Sequence, residues 1–355
     1  MRRTGTRTLV PLALAFALAA CSPPAGGPTL TAEETGDRLG ALALRASNVI
    51  GDPAVGEFHQ AVAGLAPAGL PAGTGGDLPR GVYRFDDESG AWVDVADSDD
   101  LDLNWTVEPG PRDARLLVDW DAAAPTVRRT LASGEEVELP TGATVTMWLD
   151  GAVTADLDQS ATWPVNACGT LTEPGDLYMN GHVAHGAATL TVDRVGLSVN
   201  AGDDEATAGG SGGLELSVPA GRAWVDWDAS VALDVTRDEA TCEVLDAVVR
   251  SGRLRVEAGI DTAGGDGSAA VATDFAPVTD GAGELTGVEL ANGSLVLDGA
   301  VAVTWDGILD DADEDGVPGE NLVLTFADRT MTLEEFIREQ FGPLAFGASV
   351  VAALR

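Results

Sequence analysis

The stretch Leu254-Arg-Val-Glu-Ala-Gly-Ile260 decides the fold, because apolar residues occupy every second position in it. This period places the apolar side chains on one face of a β-strand and the polar side chains on the other. The same alternation returns between Gly-rich and Asp-rich turns at Leu116-Val118-Trp120, Val145-Met147-Leu149, Leu214-Leu216-Val218, Val231-Leu233-Val235, Val301-Val303-Trp305 and Leu322-Leu324-Phe326. One apolar and one polar face per strand is typical of antiparallel sheets. The sequence therefore predicts a mainly β protein, either a sandwich or a curved open sheet.

Helical signals occur only near the two ends of the chain. Thr31 and Glu34, and later Thr332 and Glu335, have the spacing of a capping box, and Asp52-Pro53 is typical of a helix start. No helical period intervenes between the strands, which excludes a βαβ fold. We therefore predict a helical segment at 31–65, a Gly/Pro linker at 66–80, one large β domain or two smaller ones at 81–329, and a C-terminal helical cap at 330–355.

The net charge of the 355-residue chain, −37, argues against nucleic acid as a partner. A surface this acidic repels phosphate backbones and anionic lipid heads, whereas it is compatible with binding cations. Hydrophobic residues make up 45% of the chain, which is enough to bury a core.

Residues 1–20 have the parts of a secretory signal. Arg2, Arg3 and Arg7 precede a short apolar run from Leu9 to Ala20. The run is too short for a permanent membrane-spanning helix. It ends in Leu18-Ala-Ala-Cys21, which resembles the lipobox of bacterial lipoproteins.

The lipobox resemblance implies that the signal peptide 1–20 is removed and that Cys21 becomes the lipid-modified first residue. The mature net charge would then be −40, because residues 1–20 hold three arginines and no acids. Residues 21–30 would be a lipidated Pro/Gly tether, whose nine residues after Cys21 reach at most about 30 Å. The implied location is the cell envelope, with the membrane as partner through the lipid anchor.

Cys168 and Cys242 are the two cysteines left after Cys21. In an oxidising compartment an even pair predicts a disulfide. The rival interpretation is a zinc site formed by both cysteines with His182 and His185. Zinc ligands usually come in tight local pairs, which these cysteines do not form, so the disulfide is favoured.

The strongest chemical motif is Asp311-Ala-Asp313-Glu-Asp315-Gly-Val317, which resembles the calcium loops of EF-hands and thrombospondin type 3 repeats. Carboxylates at the first, third and fifth positions and the carbonyl of Val317 at the seventh converge on one hard cation in those loops. The twelfth position, an acid in those families, is Leu322 here, and Glu320 is the nearest substitute. The alternative is a solvated Asp-rich turn.

Other motifs favour catalysis less. Gly209-Gly-Ser-Gly-Gly213 formally matches the nucleophile pattern Gly-x-Ser-x-Gly. That pattern needs a preceding strand and a following helix, so we predict a flexible loop there. The chain has three histidines, of which His59 is predicted to be at the surface of a helix. Carboxylate pairs for glycoside cleavage stay open among the 57 acids.

The sequence thus favours a lipid-anchored, non-enzymatic envelope lipoprotein that serves as a binding or structural module. A carrier of lipids or other hydrophobic molecules on a curved sheet is the alternative, and a glycan hydrolase is the third hypothesis. A carrier needs an apolar groove that its own helices leave open.

Overall fold

The computed structural model describes residues 27–63, 77–107, 112–120, 126–131, 133–165, 169–171, 175–201, 205–238, 244–280, 285–312 and 318–341. Its strands are β1 Gly81–Asp86, β2 Ala91–Ala96, β3 Leu101–Val107, β4 Arg112–Asp119, β5 Val127–Leu131, β6 Glu136–Leu139, β7 Gly142–Leu149, β8 Ala152–Thr162, β9 Thr170–Leu171, β10 Asp176–His185, β11 Ala188–Ala201, β12 Glu205–Val218, β13 Gly221–Arg237, β14 Val244–Thr262, β15 Gly265–Thr279, β16 Leu285–Leu297, β17 Ala300–Leu309, β18 Leu322–Thr325 and β19 Thr330–Thr332. The helices are α1 Ala32–Ile50, α2 Pro53–Ala63 and α3 Leu333–Phe341.

The prediction of a mainly β, antiparallel protein with short helices near both ends is confirmed. Two compact units divide the chain. The first unit is formed by the described residues within Met1–Ser47, Ala223–Leu233 and Val248–Arg355, and the second by those within Asn48–Arg222 and Asp234–Ala247.

The second unit contains a run of neighbouring strands in the order β12-β11-β10-β8-β7-β4-β3-β1-β2. Every pair in this run is antiparallel except β1 with β3, which are parallel because β2 forms a hairpin with β1 and the chain then crosses back to the other side of β1. Burial on β3 alternates strictly, with Leu101, Leu103 and Trp105 buried. These side chains form the core of this unit together with Met147 and Leu149.

A small three-stranded sheet, β6-β5-β9, holds the chain that leads into β1. Glu138 on β6 accepts hydrogen bonds from the Thr126 hydroxyl (2.6 Å) and the Leu78 N–H (3.4 Å), and it pairs with Arg80 (3.2 Å). The Thr126 hydrogen bond is the largest cause that holds the pKa of Glu138 below its ordinary value. The end of the predicted linker is therefore fixed to this sheet.

The first unit contains neighbouring strands in the order β19-β18-β17-β16-β15-β14, followed by the Ala223–Leu233 part of β13. Its core comprises Val271, Leu295, Leu297, Val303 and Trp305. Both helices of this unit cover that core: Leu39 and Leu42 of α1 and Leu333 and Phe336 of α3 pack against it.

The predicted helix starts are formed by the expected hydrogen bonds. The Glu34 N–H donates to the Thr31 hydroxyl (3.2 Å) while the Glu34 carboxylate accepts from the Thr31 N–H (2.9 Å). Thr332 and Glu335 make the same reciprocal pair before α3. Asp52 caps α2 by accepting from the Ala54 N–H (2.8 Å). Within the ranges described above, no helix is long and apolar enough to cross a membrane.

Glycine allows unusually close contact between strands in the first unit. A Cβ on Gly293 of β16 would lie 1.9 Å from Nε1 of Trp305, which faces it on β17. A Cβ on Gly259 of β14 would likewise lie 2.4 Å from the Trp224 ring. The indole rings occupy the space that a side chain would take, and the Trp305 ring is thereby brought into the core at 6% exposure.

Candidate functional site

The acidic loop that the sequence singled out joins β17 to β18 in the first unit. Asp310 and Asn321 bring its two ends together: the Gly319 N–H donates to the Asp310 carbonyl (2.7 Å), and the Asn321 amide donates to Asp310 Oδ2 (2.9 Å). The Ile308 N–H donates to the Asn321 carbonyl (3.1 Å), which continues the ladder to the base of the loop. The loop is therefore closed by backbone and side-chain bonds at its base.

Carboxylate oxygens at the base of this loop are buried without hydrogen-bond partners. Both Oε1 and Oε2 of Glu320 are inaccessible and unpartnered, and so is Oδ1 of Asp310. Burying an ionised carboxylate without a partner costs several kcal/mol, so such oxygens are almost always hydrogen-bonded, ion-paired or bound to a metal. The base of the loop therefore has three carboxylate oxygens that no hydrogen bond satisfies.

The chemistry of these groups fits a hard divalent cation. Calcium takes six to eight oxygen ligands from carboxylates and carbonyls in flexible geometry. Glu320, predicted as a substitute for the closing acid, is one of the unpartnered groups. Asp310 was missed by the sequence analysis, because the calcium-loop motif begins one residue later, at Asp311.

The loop is described only in part. Asp311 lies at its start and has an interaction partner. Asp313, Asp315 and Val317 lie outside the described residues. Among the residues that the structure does describe, no three His, Cys, Asp or Glu side chains are grouped closely enough to hold a metal ion. The loop's calcium site thus stays a prediction that depends on residues 313–317.

The predicted anchor and disulfide residues, Cys21, Cys168 and Cys242, lie outside the described residues as well. The neighbouring described elements are β9, which begins two residues after Cys168, and β14, which begins two residues after Cys242.

The histidines considered for a zinc site lie on β10. His182 pairs with Thr191 and His185 with Ala188, with regular register between them. Residues three apart on a regular strand point to opposite faces of the sheet. The two imidazoles therefore do not converge on one ion. His59, on α2, is exposed as predicted.

The prediction of a flexible loop at Gly209–Gly213 is wrong, because these residues lie inside β12. Ser211 pairs with Gly196 of β11, and a Cβ on Gly212 would lie 2.6 Å from the Val195 Cα. Glycine is thus required by the close approach of two backbones. Since β12 continues to Val218 and no helix follows the serine, the segment lacks the strand-to-helix turn of a nucleophile elbow.

Asp100, between β2 and β3, is a half-buried carboxyl group with a raised pKa. Burial is the largest cause of the rise, and the nearby negative charge of Asp119 adds to it. A carboxylate pair for glycoside cleavage stays a hypothesis, since that chemistry depends on the separation of the two carboxyl groups. The backbone of Asp100 is also structural, since its carbonyl accepts from the Gly81 N–H (2.8 Å).

Comparisons with known proteins give no relative. No protein-family model matches the chain, and neither a curated protein nor a solved structure is significantly similar to it.

Proposed function

We propose that this protein is a lipid-anchored, non-enzymatic module of the cell envelope that serves a structural or binding role. The observation that carries the proposal is the Leu18-Ala-Ala-Cys21 tetrapeptide, followed eight residues later by a segment built into the first unit. Leu30 and Ala32 of that segment are 6% and 0% exposed. A lipid on Cys21 would therefore hold a folded unit directly on a short tether.

In the first unit, the packing of the helices favours a structural or binding module over a lipid carrier. A carrier must keep an apolar sheet face open to its cargo. Instead, α1 and α3 pack their apolar residues onto the core of this unit. The acidic loop supplies the binding element of the proposal: it binds a calcium ion, whose positive charge offsets part of the negative charge of Asp310, Asp311, Asp313, Asp315 and Glu320.

The anchor is tested by replacing Cys21. In a cell fractionation, Cys21→Ala should move the protein from the membrane fraction to the soluble fraction, because no acyl chain can then be attached. One acyl chain binds a bilayer only marginally, so we expect several chains on the wild-type cysteine, visible as a mass increase. A Cys21→Ala protein that still sediments with membranes and needs detergent for release would contradict the proposal.

The calcium loop is tested by thermal melting with calcium and with chelator at matched ionic strength. A ligand that binds only the folded state adds about 2.7 kcal/mol when its concentration is 100 times the Kd. Calcium should therefore raise the Tm, magnesium should raise it less because it demands tighter octahedral geometry, and Asp313→Ala should remove most of the rise.

Glu320→Gln gives the sharper test of the same loop. The amide removes an uncompensated buried charge, so this variant should melt no lower than wild type in chelator and should lose most of the calcium response. Asp87→Asn changes the charge equally in the exposed β1–β2 turn and should keep the full response. Equal Tm values of the wild type with calcium and with chelator would contradict the calcium site and show that the loop is a solvated turn.

A further inference from the structure

We infer that the first unit is oriented with its α1 end towards the bilayer and its acidic loop away from it. This inference rests on the proposed lipid anchor at Cys21.

The tether ends at a defined point of the first unit. The Thr29 N–H (2.8 Å) and hydroxyl (3.2 Å) both donate to the Val301 carbonyl at the start of β17. The Ala327 N–H donates to the Leu30 carbonyl (2.9 Å), and the Ala32 N–H donates to Asp328 Oδ1 (3.0 Å). The chain is therefore fixed to the unit from Thr29 onwards.

The stretch of sequence between Cys21 and Thr29 is short. Thr29 lies eight positions after Cys21, and a fully extended chain spans at most about 29 Å over that number of steps. Because the acyl chains on Cys21 lie in the bilayer, the Val301 end of β17 cannot be farther from the membrane surface than this span.

Helix α1 and two hairpin turns lie at the same end of the unit. Arg38 donates to the Leu297 carbonyl (3.5 Å) and approaches Asp298 (3.9 Å) in the β16–β17 turn. Arg45 donates to the Asp266 carbonyl beside the β14–β15 turn. The helix thus crosses the hairpin turns that lie next to the tether.

The acidic loop lies at the opposite end of β17. From Val301 to Asp310 the chain advances nine residues, which corresponds to about 30 Å along a strand. A strongly acidic chain is repelled by anionic lipid heads, so the unit is not expected to lie flat on the bilayer. The loop is then presented to the aqueous compartment, where free cations and soluble partners reach it.

The experiment compares energy transfer from two positions to an acceptor lipid. Ala263, in the exposed β14–β15 turn, and Ala312, in the exposed start of the acidic loop, are each replaced by an azide-bearing residue and coupled to the same donor dye. The full lipidated protein is placed in vesicles of phosphatidylcholine and phosphatidylglycerol with an acceptor-labelled lipid. Energy transfer from position 263 should be at least about twofold higher than from position 312, since the two ends of the strands lie about 30 Å apart.

Equal transfer from vesicle-bound protein, or higher transfer from position 312, would overturn the orientation. Failure of the lipidated protein to bind vesicles would instead overturn the anchor, and Cys21→Ala should abolish transfer from both positions. If either labelled variant melts below wild type, Gly264 and Thr286 provide a second exposed pair at the same two ends of the strands. The ranking of transfer must be the same for both pairs.

Discussion

Reducing the disulfide that we predict between Cys168 and Cys242 is expected to lower the free energy of unfolding by about 4 kcal/mol. The two cysteines are 74 residues apart, and closing a loop of that length restricts the unfolded chain by this amount in the chain-entropy model. Denaturant unfolding with and without a reducing agent measures the loss. This would be a large fraction of the stability of a typical domain.

A matched set of variants separates the disulfide from general effects of the reductant. Cys168→Ala, Cys242→Ala and the double variant should be equally destabilised, and none should respond further to reductant. Two titratable thiols in the native, unreduced wild-type protein would exclude the bond. A Cα–Cα distance above about 7 Å in an experimental structure would exclude it as well.

The second large effect is expected from Gly293→Ala. The new methyl group would meet the Trp305 ring 1.9 Å away, inside the core of the first unit. Overfilling a packed core typically costs about 1–3 kcal/mol, and we expect the upper part of that range because Trp305 is 6% exposed and cannot turn into solvent. Denaturant unfolding followed by tryptophan fluorescence measures the loss.

Gly210→Ala is the control for the effect of replacing a glycine within a strand when no side chain is displaced. Gly210 also lies within a strand, but the nearest atom to a Cβ there is 3.5 Å away, which is ordinary contact. Its replacement should be near neutral. In a double-mutant cycle, Gly293→Ala should cost much less in a Trp305→Val background, because the smaller side chain leaves room for the methyl group. A full cost in both backgrounds would show that the ring is not the cause.

Several strands were predictable because apolar and polar residues alternate along them. Leu116-Val118, Val301-Val303 and Leu322-Leu324 all lie on strands where the alternation placed them. The helix starts were equally predictable, since a capping box such as Thr31 with Glu34 is a local arrangement of hydrogen bonds. The parallel pairing of β1 with β3 was not, because the choice of strand partner depends on distant residues rather than on the period.

The sequence predicts a loop at Gly209–Gly213 because the acidic residues 203–205 precede it and a strand, not a helix, follows it. In the structure, the backbone of Val195 excludes a side chain at Gly212, and a single sequence contains no signal of that contact. The candidate site likewise combines residues that a local motif indicates with one that depends on a more distant contact. Asp311 and Glu320 were predicted from a loop motif, whereas Asp310 precedes the motif and is joined to the other end of the loop only by its hydrogen bond with Asn321.

The docking of residues 29–32 has a mechanical consequence for an anchored protein. Tension on the tether would be delivered to four hydrogen bonds, those of Thr29, Leu30 and Ala32 with Val301, Ala327 and Asp328. These bonds can break one after another, whereas the long β16–β17 ladder must yield as a whole. After their rupture the load would pass to α1, which Leu39 and Leu42 still hold against the core of the first unit. The 19 residues of α1 would therefore resist the tension before it reached the β16–β17 pair.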